Sequence, residues 1–210
     1  MKRLLIAINV LLVFVILGLL LFWHPEQERM PASGTQPTHT VLNVPLAAPP
    51  AGGDFALDGP RGAFALASLR GKLVVLMFGY TYCPDICPTA LSVIAQGLGK
   101  LTPAELAKVQ VLFVSVDPER DSVARLVEYT TFFHSSIIGL TGSPAQLAEV
   151  AGRYGAAFVR QDNVSAGGYV VDHTALTYLI DRDGHLVANL PHALPPEQLA
   201  TEIRKHLPNN

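Results

Sequence analysis

The stretch Leu73-Val74-Val75-Leu76-Met77-Phe78-Gly79-Tyr80-Thr81-Tyr82-Cys83-Pro84-Asp85-Ile86-Cys87-Pro88 decides how this chain folds. Its first six residues form an unbroken apolar run, the pattern of a strand buried on both faces. Pro88 suits the first position of a helix, where its missing N–H would have had no intrahelical partner. Leu91, Ile94, Ala95 and Leu98 then fall on one helical face. A second apolar run, Val109 to Val116, completes a strand, helix, strand crossover. Both cysteines of the chain lie in the short connection between the first strand and its helix.

Outward from this unit, a helix is expected from Ser122 to about Phe133, capped by Asp121, with Val123, Leu126, Val127 and Thr130 inward. Ser143-Pro144-Ala145-Gln146 supplies an N-cap, a proline at the first helical position and a capping-box glutamine. Ala175 to Ile180 and Leu186 to Leu190 read as strands joined through Asp181-Arg182-Asp183-Gly184, whose Asp-Gly pair tolerates a tight hairpin turn. A last helix begins near Pro196, with Leu199, Ile203 and Leu207 recurring every four residues. Upstream, short runs on either side of Asp58-Gly59-Pro60-Arg61-Gly62 predict an opening hairpin. The order predicts an α/β domain of thioredoxin-like fold over residues 54–210.

Leu4 to Trp23 is a run of twenty residues without a charge, enough at 1.5 Å per residue for a hydrocarbon layer of ~30 Å. It is longer than the apolar region of a cleaved signal peptide, and no A-x-A site follows closely, so a transmembrane anchor is expected. Lys2 and Arg3 precede it and Glu26 and Glu28 follow, which leaves residues 1–3 in the cytoplasm and exports the rest. Residues 24–53 carry Pro25, Pro31, Pro37, Pro45, Pro49 and Pro50 and read as a semi-extended tether. Without an Arg-rich presequence, the expected location is a bacterial inner membrane, crossed once, with the domain in the periplasm. With 15 basic and 17 acidic residues and a net charge of -2, nothing points to nucleic acid.

Cys83 and Cys87 sit where sites form in open α/β sheets, beyond the carboxyl end of a strand. A helix N-terminus favours the thiolate, which is both the nucleophile and the metal ligand. Their C-x-x-x-C spacing departs from the C-x-x-C of disulfide exchange, though a bridge stays within reach if the Cα atoms approach to ~7 Å. A purely structural disulfide is disfavoured, because so small a ring removes little unfolded-state entropy. Two thiolates suit a soft ion such as Cu(I), which also accepts imidazole, whereas zinc would want four ligands.

Of the seven histidines, His24 and His39 lie in the tether, His206 at the C-terminus, and His185 and His192 at exposed turns. His134 ends a helix, where the dipole accounts for it. His173 differs, because Val171-Asp172-His173-Thr174 directly precedes the penultimate strand, a junction that packs on the cysteines in thioredoxin-like folds.

Three segments together, Gly79 to Pro88, Val116-Asp117-Pro118-Glu119-Arg120-Asp121 and Tyr169-Val170-Val171-Asp172-His173-Thr174, resemble the Sco/SenC family of copper proteins over about Asp54 to Leu207. The resemblance implies a thioredoxin-like fold on a membrane anchor. It also implies copper, as Cu(I) or Cu(II), held by Cys83, Cys87 and His173, with Asp172 behind the imidazole to orient it or supply charge. The implied role is a metallochaperone for the binuclear copper centre of cytochrome c oxidase. Its partners would be the copper-site subunit, an upstream copper donor and a thioredoxin-like reductant. Thr174 departs from the serine common in the family, and Ser135 from its frequent proline.

The same cysteines would serve a thiol–disulfide oxidoreductase that reduces the oxidase copper site, with His173 merely lining the pocket. A sensor fits equally, and a peroxidase less well, since Thr81 precedes Cys83 by two positions and not the three of T-x-x-C. Gly97-Leu98-Gly99-Lys100 and Asp181-Arg182-Asp183-Gly184 read as turns, and Asp117 to Asp121 as a docking surface or a solvated loop.

Overall fold

The computed structural model describes residues 50–165, 168–192 and 194–207, with Leu12 and residues 14–19. Contacts divide the chain into two units, Met1–Pro45 and Leu46–Asn210. In the first, Leu12 and residues 14–19 are helical. The remainder of the expected anchor, and the tether up to residue 49, lie outside the described residues. Among those described, no helix is long and apolar enough to cross a membrane.

The second unit opens with an antiparallel hairpin, β1 (Ala56–Gly59) and β2 (Gly62–Ala65). A five-stranded sheet follows, built from β3 (Leu73–Gly79), β4 (Val109–Ser115), β5 (Ile137–Leu140), β8 (Leu176–Ile180) and β9 (Leu186–Pro191), in the order β5-β4-β3-β8-β9. β3 pairs in parallel with β4 from Leu73↔Val109 to Gly79↔Ser115, and antiparallel with β8 from Val74↔Ile180 to Met77↔Thr177. Between β5 and β8 stands a separate ribbon, β6 (Phe158–Ser165) and β7 (Gly168–His173).

Every residue of β3 is buried, because the strand is central and covered on both faces. Leu73, Val75 and Met77 enter the layer formed with α1 (Ile86–Leu98), α3 (Val123–Phe133) and α5 (Pro196–His206). Val74, Leu76 and Phe78 enter the opposite layer with α4 (Pro144–Arg153) and the two hairpins. This alternation is the period-two signature of a strand, and each such side chain contributes about 1.5–3 kcal/mol on burial. The short α2 (Pro103–Leu106) closes the α1 to β4 crossover.

The expected α/β thioredoxin-like domain is present, with local differences. α1 starts at Ile86, two residues ahead of Pro88, so Cys87 lies within its first turn and not before it. Pro88 is still tolerated there, since first-turn N–H groups have no intrahelical acceptor. The N-cap of α3 is Ser122, which accepts the Arg125 N–H, and not Asp121, whose carboxylate is used elsewhere. Val127, expected inward, is 39 % exposed.

β5, α2 and the β6–β7 ribbon were not expected. The four residues of β5 are too few for a period, and its Gly139 is required because a Cβ there would lie 2.7 Å from the Leu126 Cβ. β6 contains Arg160, Gln161 and Asp162, which mask any apolar alternation.

Candidate metal centre

Cys83 and Cys87 are brought together by the abrupt passage from β3 to α1. The Cys83 N–H donates to the Tyr80 carbonyl at 3.3 Å, closing a turn before the helix. Cys83 is partly exposed, whereas Cys87 is fully buried in the layer that holds Leu73, Met77 and Phe113. Gly79, the last residue of β3, leaves room for it, since a Cβ there would stand 2.7 Å from the Cys87 Sγ and 2.8 Å from Phe113.

His173 arrives from the other side, on the last residue of β7, and not simply from a loop before β8. Its Nε2 lies 3.3 Å from the Cys87 Sγ, and its Nδ1 lies 3.3 Å from the Thr174 carbonyl. Donation from Nδ1–H to that carbonyl selects the tautomer whose Nε2 carries a lone pair toward the sulfurs. Tyr80 meets the imidazole edge to face, with centroids 5.9 Å apart at 89°, and its hydroxyl accepts the Val171 N–H at 3.2 Å. Asp172, expected behind the imidazole, points to the other face of the strand and accepts from Gln161 Nε2 at 3.0 Å. The orienting contact on His173 is therefore the Thr174 carbonyl.

The ligand atoms of Cys83, Cys87 and His173 all lie within 4.8 Å of one another. Cys83 is lowered to about 3, first by a hydrogen bond from Cys87 and further by the backbone N–H groups of Asp85 and Cys87. Cys87 is raised by that same shared proton and by burial. The pair thus holds one proton, with the charge on the outer sulfur. Two sulfurs, one already a thiolate, and an imidazole nitrogen make a soft three-donor set that fits Cu(I) better than a four-coordinate zinc site.

A buried polar frame supports this group. Asp121, 0 % exposed, accepts from the Thr81 N–H at 2.9 Å, the Thr81 hydroxyl at 2.7 Å and the Ser115 hydroxyl at 2.7 Å. It thereby pins the loop that carries Cys83. Asp117, 3 % exposed, accepts from Arg120 Nε at 2.5 Å and from the Tyr169 hydroxyl at 2.6 Å. The segment from Asp117 to Asp121 is thus partly internal and not a solvated loop. Composition concealed this, because charged residues are normally solvent-facing. The other described histidines stay apart from the group. His134 Nδ1 meets the Ser136 hydroxyl at 2.8 Å, and His185 lies 3.6 Å from Asp181.

The SCO1/SenC family model matches residues 44–208. A bovine mitochondrial SCO2 homolog is 39% identical over 157 residues, covering 74% of this chain and 59% of the relative. Yeast mitochondrial SCO1 is 33% identical over 188 residues, covering 89% of this chain and 62% of the relative. The chain thus spans about three fifths of these curated relatives' length. Among solved structures, copper-bound ScoI of Bradyrhizobium japonicum superposes with a TM-score of 0.67 at 39% identity, covering 74% of this chain and 99% of that one. Copper-bound yeast Sco1 gives a TM-score of 0.68 at 36% identity, with 75% and 88% covered. With the family model matched over most of its length and relatives 33–39% identical to it, the chain belongs to the SCO1/SenC family.

Proposed function

We propose that this chain is a membrane-anchored metallochaperone that carries copper as cargo on Cys83, Cys87 and His173 and hands it to the copper-site subunit of cytochrome c oxidase. The observation that carries this reading is the convergence of the three soft donors within 4.8 Å beyond the carboxyl end of the central strand β3. Cys83 supplies a thiolate at neutral pH, Cys87 loses its proton when the ion enters, and His173 offers an Nε2 lone pair. The few ligands and the partly exposed Cys83 leave one side open for ligand exchange with an acceptor. Copper bound to relatives at 36–39% identity supports the choice of ion. The uncharged run Leu4 to Trp23 supports a single inner-membrane span, with residues 24–53 as tether and residues 54–210 in the periplasm. Metal analysis of the reduced full-length chain tests the reading. One copper per chain is expected, and failure to take up copper after thiol reduction would refute it.

The second reading, a thiol–disulfide oxidoreductase acting on the cysteines of the oxidase copper site, draws on the shared proton between Cys83 and Cys87. A low-pKa outer thiolate beside a buried thiol is the arrangement of an attacking and a resolving cysteine. The two readings part at His173, which only the first requires as a ligand.

A further inference from the structure

Strand β7 is fastened to the cysteine side of the domain along its length. Tyr169, Val171 and His173 share one face of it. The Tyr169 hydroxyl donates to Asp117, the Val171 N–H donates to the Tyr80 hydroxyl, and His173 lies against the Tyr80 ring and Cys87. Among the described residues β6 and β7 ladder only with each other and not with the five-stranded sheet. Side chains therefore set how this ribbon sits.

Arg120 ties the most of them together. Its guanidinium carbon lies 3.6 Å from the centroid of the Tyr169 ring, 4.8 Å from that of Tyr82 and 5.5 Å from that of Tyr80. Nε donates to Asp117 at 2.5 Å, and NH1 donates to the Tyr169 carbonyl at 3.0 Å. NH2 is buried without an acceptor among the described residues, so stacking and not hydrogen bonding accounts for that end of the fork. The side chain is only 17 % exposed, a setting in which cation–π contacts exceed their surface strength. Arg160 lies over Tyr169 at 3.6 Å as well and pairs with Glu119 at 2.7 Å.

We propose that Arg120, held by Asp117 and stacked between the cysteine loop and Tyr169, is a positioning residue that docks the β6–β7 ribbon and so keeps His173 within ligating reach of Cys87. Functional ligands must be held to within about 0.5 Å, and His173 stands at the end of the ribbon next to Cys87. The proposal rests on the copper reading in taking His173 as a ligand. Its docking half does not.

The test uses the full-length chain with Arg120→Lys, which keeps a charge for Asp117 but has no planar fork, and Tyr169→Leu, which removes the ring but leaves the Arg120 to Asp117 pair. In the metal-free protein, hydrogen exchange at residues 158–162 and 169–173 should rise about tenfold while β3 and β4 keep their protection. In the copper(II)-loaded protein, the imidazole nitrogen coupling in the EPR spectrum should weaken. Unchanged exchange in the ribbon overturns the docking role, and a loosened ribbon with wild-type nitrogen coupling overturns the positioning of His173. If Arg120→Lys also strips protection from β3, Tyr169→Leu decides. A wild-type chain that takes up no copper overturns the ligand half, and the metal-free exchange then decides the docking half alone.

Discussion

The Nε2 of His173 lies 3.3 Å from the Sγ of Cys87, although 86 positions separate them in the chain. The contact joins the buried Cys87 in the first turn of α1 to the end of a ribbon that stands apart from the main sheet. For His173→Ala, copper retention should fall by more than the ~10–100-fold typical of losing only an outer contact to a metal ligand. The Cys83/Cys87 pair should still form and exchange a disulfide. Competition with a copper chelator and equilibration against a dithiol couple measure the two separately. A folded variant with unaltered redox behaviour and full support of oxidase assembly would sink the metallochaperone reading and favour the oxidoreductase.

The outer sulfur should alkylate as a thiolate far into acid. Because Cys83 is lowered to about 3, its reaction with iodoacetamide should persist as pH falls through the range where an ordinary thiol stops reacting, and fade only toward that value. Cys87 is raised by the proton it shares with Cys83 and by burial, so it should stay unmodified in the folded protein. In Cys87→Ala the main cause of the lowering is gone, and the alkylation midpoint of Cys83 should move up toward the normal thiol range. A midpoint that does not move would show that the inner thiol does not set it.

Gly79→Ala should damage stability and site together. The added Cβ would stand 2.7 Å from the Cys87 Sγ and 2.8 Å from Phe113, both of which are fully buried. Overpacking of this kind costs about 1–3 kcal/mol, a loss of several degrees in Tm for a domain of this size. A thermal melt of the metal-free chain checks it, and an unshifted Tm would contradict the packing described for β3.

Asp121→Asn removes one lone-pair acceptor from a carboxylate that takes three hydrogen bonds, from the Thr81 N–H, the Thr81 hydroxyl and the Ser115 hydroxyl. Leaving one of these buried groups unsatisfied should cost about 1–3 kcal/mol in denaturant unfolding. Ser115→Ala deletes one donor together with its demand and should be milder. If the asparagine variant were as stable as wild type, the buried carboxylate would not be what pins the cysteine loop.

Much of this was legible in the chain. The apolar run Leu73 to Phe78, the helix behind it and the Asp-Gly hairpin each carry a local signal strong enough to survive tertiary context, and they fix the sheet around the cysteines. Ser143 and Gln146 form the capping box that their spacing implies. What escaped was whatever depends on long-range pairing. β6 has a polar composition, so nothing local distinguishes it from a loop until β7 folds back on it. Asp121 looked like a helix cap because an aspartate before a helix usually is one. Its actual partner Thr81 lies 40 positions upstream. Asp172 was misplaced by one face of a strand, since its neighbour His173 alone turns toward the sulfurs.

The unequal burial of the two sulfurs gives the centre a front door and a back wall. Cys83 is partly exposed, and Cys87 is buried within the first turn of α1 with His173 Nε2 against its sulfur. An approaching ligand, whether a thiolate or a group of a metal acceptor, meets the partly exposed Cys83 or His173 before it meets Cys87. Any hand-over therefore has an obligatory sequence: the first new bond is made at the outer side, and Cys87 takes part only after that encounter has begun. Traffic through this centre is ordered by geometry alone, in the same order for an electron pair as for an ion.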